Sequence, residues 1–352
     1  MKYIQPRPSS IVAALYTARD LGVDVAILHG PSGCSFKHAR LLEEDGMRVL
    51  TTSLGENEFI FGGESRLAEV LIEAEASFAP HRMAVVGTCV AMIIGEDLAH
   101  AVGGVATPTI AVDIHAGFPE NVDGVIATLQ AAAGEGWIDE EELARQRHLL
   151  AAANEVERLR GAASRPYIEP ERGALKHEAA ARLLELARSG APGIAVMNAK
   201  KETAYMFVDA LAALHEAVPD ASVRYLANLE DRGLPKVRAD ARRIRDELAA
   251  RKVPVEVVGS LDEYGALGDR LGAAIRDSGA SWALIVGVPH AIPAEYTDGI
   301  EIFSITNGPR QVAPLRELGH KHVMVEVDLH PKTLGVRSIV ESEFGAVLRS
   351  LA

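Results

Sequence analysis

The chain contains 352 residues, 48% of them hydrophobic and 24% charged, with a formal net charge of −13. Such a length and composition are typical of a globular protein with two or three domains. The acidic balance argues against a nucleic-acid-binding protein, which requires a basic face. Two cysteines are too few for the disulfide framework of a secreted protein. We see no apolar signal core and no run of about 18 apolar residues, so we expect a cytoplasmic protein without membrane contact.

Strand-like apolar runs alternate with helical patterns along almost the whole chain, which predicts an α/β fold of mainly parallel sheets in two or three Rossmann-like domains. Residues 1–135 form the first predicted domain, and 136–190 a helical connection and linker. The predicted strands of the first domain are Val23–Leu28, Arg48–Thr52, Met83–Val86 and Pro108–Asp113, and its helices are Ser10–Leu21, Cys34–Asp45 and Gly63–Phe78. The connection combines a charged helical stretch (Pro119–Arg160), a Gly- and Pro-rich linker (Gly161–Gly173) and a helix (Ala174–Ser189).

The remaining chain repeats the alternation of strands and helices twice. Residues 191–280 are predicted to form a second α/β domain and residues 281–352 a third, and the pattern leaves open whether the two merge. The predicted strands are Gly193–Met197, Val223–Leu226, Val255–Val258, Trp282–Val286, Ile300–Ile305 and His322–Val327. The helices are Lys201–His215, Lys236–Arg251, Leu261–Ser278 and Lys332–Leu351.

The two cysteines, Cys34 and Cys89, each follow a predicted buried strand and open a predicted helix. Because the carboxyl ends of parallel strands meet at one edge of a sheet, where such folds hold ligands, the two thiols can lie close together. A helix start favours the thiolate. Two thiolates are half of a four-thiolate iron–sulfur site, and a homodimer supplies the other half. Buried apolar cysteines, zinc ligands and a disulfide are the alternatives, and the wide spacing of the pair makes zinc the weaker of these.

Three motifs resemble those of the catalytic subunits of nitrogenase-like enzymes. His29–Cys34 resembles their first cysteine motif, His-Gly-Pro-x-Gly-Cys, and Thr88–Asp97 resembles the later one, which runs from Thr-Cys to Ile-Gly-Asp-Asp. Between them, Glu56–Gly63 resembles Glu-x-Asp-x-Val-Phe-Gly-Gly. The chain departs from the family by having Thr51–Ser53 where nitrogenase subunits carry another cysteine, and it has no third cysteine at all. Dinitrogen reduction is therefore not expected.

The rest of the chain, including 318–322 and 327–335, is similar to one branch of this family, the D component of Ni-sirohydrochlorin a,c-diamide reductive cyclase. The resemblance implies an enzyme subunit that reduces a nickel tetrapyrrole with lactam ring formation, in the biosynthesis of coenzyme F-430. It also implies a 4Fe-4S cluster held by Cys34 and Cys89 of two protomers in a homodimer, with nickel only in the substrate. Electrons come from a separate ATP-dependent reductase, and the chain has no phosphate-loop sequence of its own.

Further candidate residues follow predicted strands. His290 and His115 are candidate proton donors, because a histidine pKa lies near neutrality. Arg310, Lys332 and His330 are candidate contacts for substrate carboxylates. Each has an ordinary alternative in loop and capping chemistry, and the Gly-rich turn before Cys34 has a nucleotide-binding alternative.

Two other functions remain open from the sequence alone. One is a non-enzymatic carrier of an iron–sulfur cluster or a tetrapyrrole. The other is a nitrogenase-like reductase that acts on a different tetrapyrrole.

Overall fold

A computed structural model describes residues 9–118, 120–162, 167–326 and 333–352. These residues form two compact units. The N-terminal unit contains the described residues up to 148 together with 234–236, and the C-terminal unit contains 149–233 and the described residues from 237 onward. No helix within these ranges has the length and apolar content needed to cross a membrane.

The N-terminal unit is built on a four-stranded parallel sheet. Its strands are β1 (Val25–His29), β2 (Arg48–Thr51), β3 (Met83–Gly87) and β4 (Thr109–Val112), in the order β2-β1-β3-β4. β1 and β3 are buried along their whole length, as central parallel strands covered on both faces must be. Their register pairs His29 with Gly87, so the two strands end side by side.

The described chain between residues 9 and 159 forms eight α-helices. They are α1 (Ser10–Asp20), α2 (Phe36–Glu44), α3 (Glu56–Phe61), α4 (Glu64–Phe78), α5 (Cys89–Ile94), α6 (Leu98–Val102), α7 (Val122–Gly134) and α8 (Glu140–Leu159). The α1 helix is buried throughout, with Ser9 as its N-cap. Leu67, Leu71 and Met83 belong to the apolar core that packs α4 against the sheet. The chain passes to the C-terminal unit within α8, inside the predicted connection 136–190.

The C-terminal unit has one six-stranded parallel sheet. Its strands are β5 (Gly193–Asn198), β6 (Val223–Ala227), β7 (Val255–Val257), β8 (Trp282–Gly287), β9 (Glu301–Thr306) and β10 (His322–Val325), in the order β10-β9-β8-β5-β6-β7. The strands predicted for 191–280 and for 281–352 thus lie in the same sheet. The direction of winding reverses between β5 and β8, which makes their carboxyl ends the switch point of the sheet.

The helices of the C-terminal unit are α9 (Lys176–Arg188), α10 (Ala204–Ala217), α11 (Pro235–Ala250), α12 (Gly268–Asp277), α13 (Val312–Glu317) and α14 (Glu343–Ser350). The edge strand β7 has only three residues. Arg224 of β6 makes a two-pronged ion pair with Glu256 of β7, with N–O distances of 2.9 and 2.7 Å.

The α/β class with parallel sheets is confirmed, whereas five predicted helix starts are wrong by two residues or more. Two of them are Lys201, where the helix begins at Ala204, and Ala174, where it begins at Lys176. The helix predicted from residue 332 begins at Glu343, because Ser342 caps it through the N–H of Gly345. The helix predicted from Leu261 begins at Gly268, after a turn in which Glu263 accepts the N–H of Ser260. The helix predicted from Cys34 begins at Phe36, after Ser35 adopts a left-handed conformation (φ 55°).

Candidate functional site

Cys34 and Cys89 lie at the carboxyl ends of neighbouring strands, as the sequence predicts. Cys89 is the first residue of α5, two residues after β3, and Cys34 lies in the turn that follows β1. Both are free thiols and both are partly exposed. Burial raises the pKa of the Cys34 thiol, and the negative charge of Cys89 raises it further, so the two sulfurs are close enough to interact. The expected lowering of the Cys34 pKa by a helix start is therefore wrong, because α2 begins only after this residue.

The turn before Cys34 is held tightly against the neighbouring strands. The hydroxyl of Thr88 donates to the carbonyl of His29 at 2.9 Å, and the N–H of Gly30 donates to the hydroxyl of Thr52 at 3.0 Å. A Cβ atom at position 30 would lie 2.2 Å from Oγ1 of Thr88, so only glycine is accommodated there. The glycine of the first cysteine motif thus lets Thr88, the neighbour of Cys89, pack directly on the chain that leads to Cys34.

The sulfur of Cys89 receives a backbone hydrogen bond. The N–H of Ala116, in the segment after β4, lies 3.3 Å from Sγ of Cys89. Hydrogen bonds to cysteine sulfur are among the contacts that set the properties of iron–sulfur sites. His115 precedes Ala116 in this segment, and its imidazole is stacked on Phe118 at a centroid distance of 4.5 Å.

Glu96 connects all three sequence motifs. Its Oε1 accepts the N–H of Gly63 at 2.6 Å, and its Oε2 lies 3.4 Å from Nε2 of His29. Both ionisable side chains are buried, with exposed fractions of 5% for Glu96 and 0% for His29. Burial lowers the pKa of His29 below 6.5, against the opposing effect of Glu96. The carboxylate therefore fastens the middle motif and the last motif to the strand that leads to Cys34.

A group of apolar side chains next to the cysteines is exposed. We call it the apolar patch, and it consists of Phe59, Ile60 and Phe61 on α3 with Met92 and Ile93 on α5, two helices that contact each other. Phe61 is 84% exposed and Ile93 is 71% exposed. Contiguous exposed apolar surface of this kind is typical of protein–protein contact sites.

The donor set fits half of a four-thiolate cluster site. Two interacting cysteine sulfurs, one of them with a backbone N–H donor, are the ligand type that iron–sulfur clusters require. Within the described residues, no group of three or more histidine, cysteine, aspartate or glutamate side chains is arranged to hold a metal ion. The chain thus offers two thiols, half the number that a four-thiolate cluster takes.

The other predicted site residues lie elsewhere. Arg310 follows β9, with its guanidinium 5.5 Å from the ring centroid of Tyr167. His290 follows β8 in the C-terminal unit and is 3% exposed. His330 and Lys332 fall outside the described residues. Among the described candidates, His115 shares a unit with the cysteines, whereas Arg310 and His290 belong to the C-terminal unit.

Sequence reasoning missed the partners of His290. Nε2 of His290 lies 3.5 Å from Oε2 of Glu157, and Oε1 of Glu157 accepts a hydrogen bond from the ammonium of Lys200 at 3.1 Å. The charges of Lys200 and His290 hold the pKa of Glu157 well below its usual range, despite burial. The sequence feature that could have indicated this site is Lys200, which lies two residues after β5. Glu157 gives no such indication, because its sequence context is typical of a solvated helix face.

The fold and the cysteine pair define the class of protein. A family model described as "Nitrogenase component 1 type Oxidoreductase" matches residues 10–135, the part that carries both cysteines. The nitrogenase molybdenum-iron protein alpha chain of Clostridium pasteurianum is 33% identical over 112 residues, which cover 29% of this chain and 21% of that protein. The N-terminal unit is thus of the nitrogenase component 1 type.

Similarity over the full length is more specific. Component CfbD of the Ni-sirohydrochlorin a,c-diamide reductive cyclase complex from Methanosarcina acetivorans is 52% identical, with 99% of this chain and 97% of that protein covered. Its counterpart from Methanothermobacter thermautotrophicus is 48% identical, with 98% of each covered. The chain belongs to the CfbD family, and it is an enzyme subunit with a nitrogenase-like catalytic role. The predicted family is confirmed.

Proposed function

We propose that this chain is the catalytic component of a two-component reductive cyclase that reduces Ni-sirohydrochlorin a,c-diamide with lactam ring formation, in the biosynthesis of coenzyme F-430. The observation that carries the proposal is the cysteine pair at the ends of β1 and β3, in a chain similar to CfbD proteins over almost its whole length. The names of those relatives supply the substrate and the reaction.

A 4Fe-4S cluster is proposed to lie between two copies of the chain. Cys34 and Cys89 of each protomer would hold it, and when bound it supplies one-electron transfer to the tetrapyrrole. The apolar patch supports this arrangement, because it includes part of α5, the helix that begins at Cys89, and a second copy would remove this surface from water. Nickel belongs to the substrate in this scheme.

Electrons are proposed to come from a separate ATP-dependent reductase. The chain carries no phosphate-loop sequence, so ATP hydrolysis falls to that partner. The backbone donor to Cys89 and the tight turn before Cys34 belong to the same chain as the two thiols, so this chain itself positions the pair.

His115 is the proposed proton donor nearest the cysteines, since Ala116, the next residue, touches Cys89. Arg310, Lys332 and His330 remain proposed contacts for substrate carboxylates. His290 remains a proposed proton donor of the C-terminal unit, and its surroundings are taken up below.

The proposal is tested on protein purified without oxygen. We expect about two iron atoms per chain, absorption at roughly 400 nm, and turnover of Ni-sirohydrochlorin a,c-diamide only with the reductase and ATP. Cys34→Ser and Cys89→Ser should each abolish the iron and the turnover. Unchanged iron content in either variant contradicts ligation, and transfer of the cluster to an acceptor protein without turnover would indicate a carrier instead.

A further inference from the structure

The carboxyl ends of β5 and β8 form a second polar site, separate from the cysteine pair. The N–H of Val288 donates to the carbonyl of Asn198 at 2.8 Å, which fixes the two chain segments side by side beyond the sheet. Gly287 is required at this point, because a Cβ there would lie 2.4 Å from the carbonyl oxygen of Asn198. Open α/β sheets bind ligands where the winding reverses, which is this edge.

Helix α8 supplies a charged pair to the same edge. Val156 packs against Val288 and Ala291, so the last turn of α8 lies over the end of β8. The next residue, Glu157, thereby reaches both the ammonium of Lys200 and the imidazole of His290. The lysine ammonium also lies 5.0 Å from the ring centroid of Tyr264. The net charge of this lysine–glutamate pair is zero.

Two buried side chains at this edge have polar atoms without a partner. Asn198 is fully buried, and its Nδ2 donates to the carbonyl of Tyr264 at 3.0 Å, which leaves Oδ1 as an acceptor with no donor. His290 is 3% exposed, its Nδ1 makes no hydrogen bond, and its Nε2 has only the long 3.5 Å approach to Oε2 of Glu157. Unsatisfied buried polar groups destabilise a fold, so their concentration at one sheet edge points to a ligand that pairs with them.

The unpaired atoms specify the chemistry of that occupant. Asn198 needs a hydrogen-bond donor, and the imidazole of His290 offers at least one N–H donor of its own. A carboxylate has only acceptors, so it would leave Asn198 unpaired and would be repelled by Glu157. A primary amide carries both an N–H donor and a carbonyl acceptor, without charge. It therefore complements Asn198 and His290 together.

We propose that Asn198 and His290, at the switch point of the C-terminal sheet, bind a primary amide of the ligand. The inference rests on the proposed function, in which the substrate is a diamide, and it makes this site the part of the chain that distinguishes the amidated tetrapyrrole from its free-acid form. Lys200 and Glu157 act here as positioning residues, because their ion pair holds Glu157 beside the imidazole.

The test compares two ligands, Ni-sirohydrochlorin a,c-diamide and Ni-sirohydrochlorin, by equilibrium dialysis against the anaerobic protein with nickel quantified by mass spectrometry. Wild-type protein should bind the diamide about tenfold or more tightly, as expected when buried polar groups are left unpaired by the wrong ligand. In His290→Leu the ratio of the two dissociation constants should fall close to one. In His290→Gln the ratio should be largely retained, because glutamine keeps a donor and an acceptor.

The matched control is His215→Leu. His215 lies in the last turn of α10, where it stacks edge-on against Tyr225, and it contacts none of the residues of this site. This variant should keep the wild-type ratio. A ratio that survives in His290→Leu shows that the polar atoms are satisfied by ordered water only, and it overturns the inference.

The two proposals fail in different ways. If wild-type protein binds and turns over the diamide but shows no preference for it, the amide site is wrong and the proposed function stands. If it binds neither compound and turns over neither with the reductase, the proposed function itself is wrong.

Discussion

Glu96 shows how one side chain holds a site together. In sequence it is a departure from the family motif, which has Asp at this position, and nothing in the pattern says which groups it contacts. The structure shows the carboxylate between Gly63 and His29. These partners come from segments 33 and 67 residues away, so only the folded chain reveals them.

Glu96→Ala should lower the free energy of unfolding by about 1–3 kcal/mol, because the buried N–H of Gly63 loses its acceptor. It should also lower the iron content of the reconstituted protein, since the cysteine motifs lose a shared anchor. Urea denaturation of the metal-free chain and iron analysis measure the two effects. Glu64→Ala is the control, because Glu64 makes an exposed contact with His100 and should cost well under about 1 kcal/mol.

His320 makes stability depend on pH. It is 3% exposed, shares a hydrogen bond of 2.5 Å with Ser304, and has a pKa lowered from 6.5 to about 4 by burial and by His290. At a pH between these two pKa values, His320 binds a proton in the unfolded chain but not in the folded chain. The stabilisation is complete above pH 6.5 and is lost as pH falls from 6.5 to about 4.

His320→Asn should weaken this dependence, because asparagine does not titrate. The urea midpoint of wild-type protein should fall more steeply than that of the variant between pH 6.5 and pH 4. Circular dichroism on the metal-free chain measures both profiles. Parallel profiles would show that His320 already carries its proton in the folded state.

At the scale of elements, the predicted strands were more accurate than the helix starts. Buried parallel strands such as β1 and β8 are continuous apolar runs, and these are visible in sequence. Helix starts depend on local contacts and backbone conformation: the side-chain cap of Ser342 sets one start, and the left-handed conformation of Ser35 sets another. The short helix α3 was not predicted, because its apolar residues are exposed rather than periodic.

The apolar patch on α3 and α5 predicts how two copies associate. Phe61→Glu or Ile93→Glu should convert a dimer into monomers, because a charge would be desolvated at the contact. Sedimentation velocity of the anaerobic protein measures the change. Ile72→Glu is the matched control, because Ile72 is 59% exposed on α4, outside the patch. A variant of the patch that sediments as wild type would place the contact elsewhere.

At the scale of the whole molecule, the alternation of strands and helices predicted the class of fold, and the motifs predicted the family. The sequence did not show which strands belong to which sheet. Strand order depends on the side of the sheet to which each crossover connection leads, and the hydrophobic pattern does not record this. The sequence also did not show the polar site of the C-terminal unit, which is assembled from α8, β5 and β8.

Removal of iron should therefore change the assembly as well as the spectrum. In the proposed arrangement a four-thiolate cluster links two chains that each offer two thiols, so loss of the cluster removes that link. Treatment with an iron chelator should bleach the absorption and raise the dissociation constant of the dimer. A metal-free dimer of undiminished affinity would indicate that the apolar contact alone sustains association.

The edge strand β7 has only three residues, and this length affects whether two molecules can pair through their sheet edges. The free N–H and carbonyl groups of a long, flat, uncharged edge strand can pair with a strand of another molecule. Repeated pairing of this kind extends the sheet across many molecules. Here the strand is short and Glu256 on it is tied to Arg224. The short length of this edge strand and its paired charge therefore disfavour strand pairing between molecules.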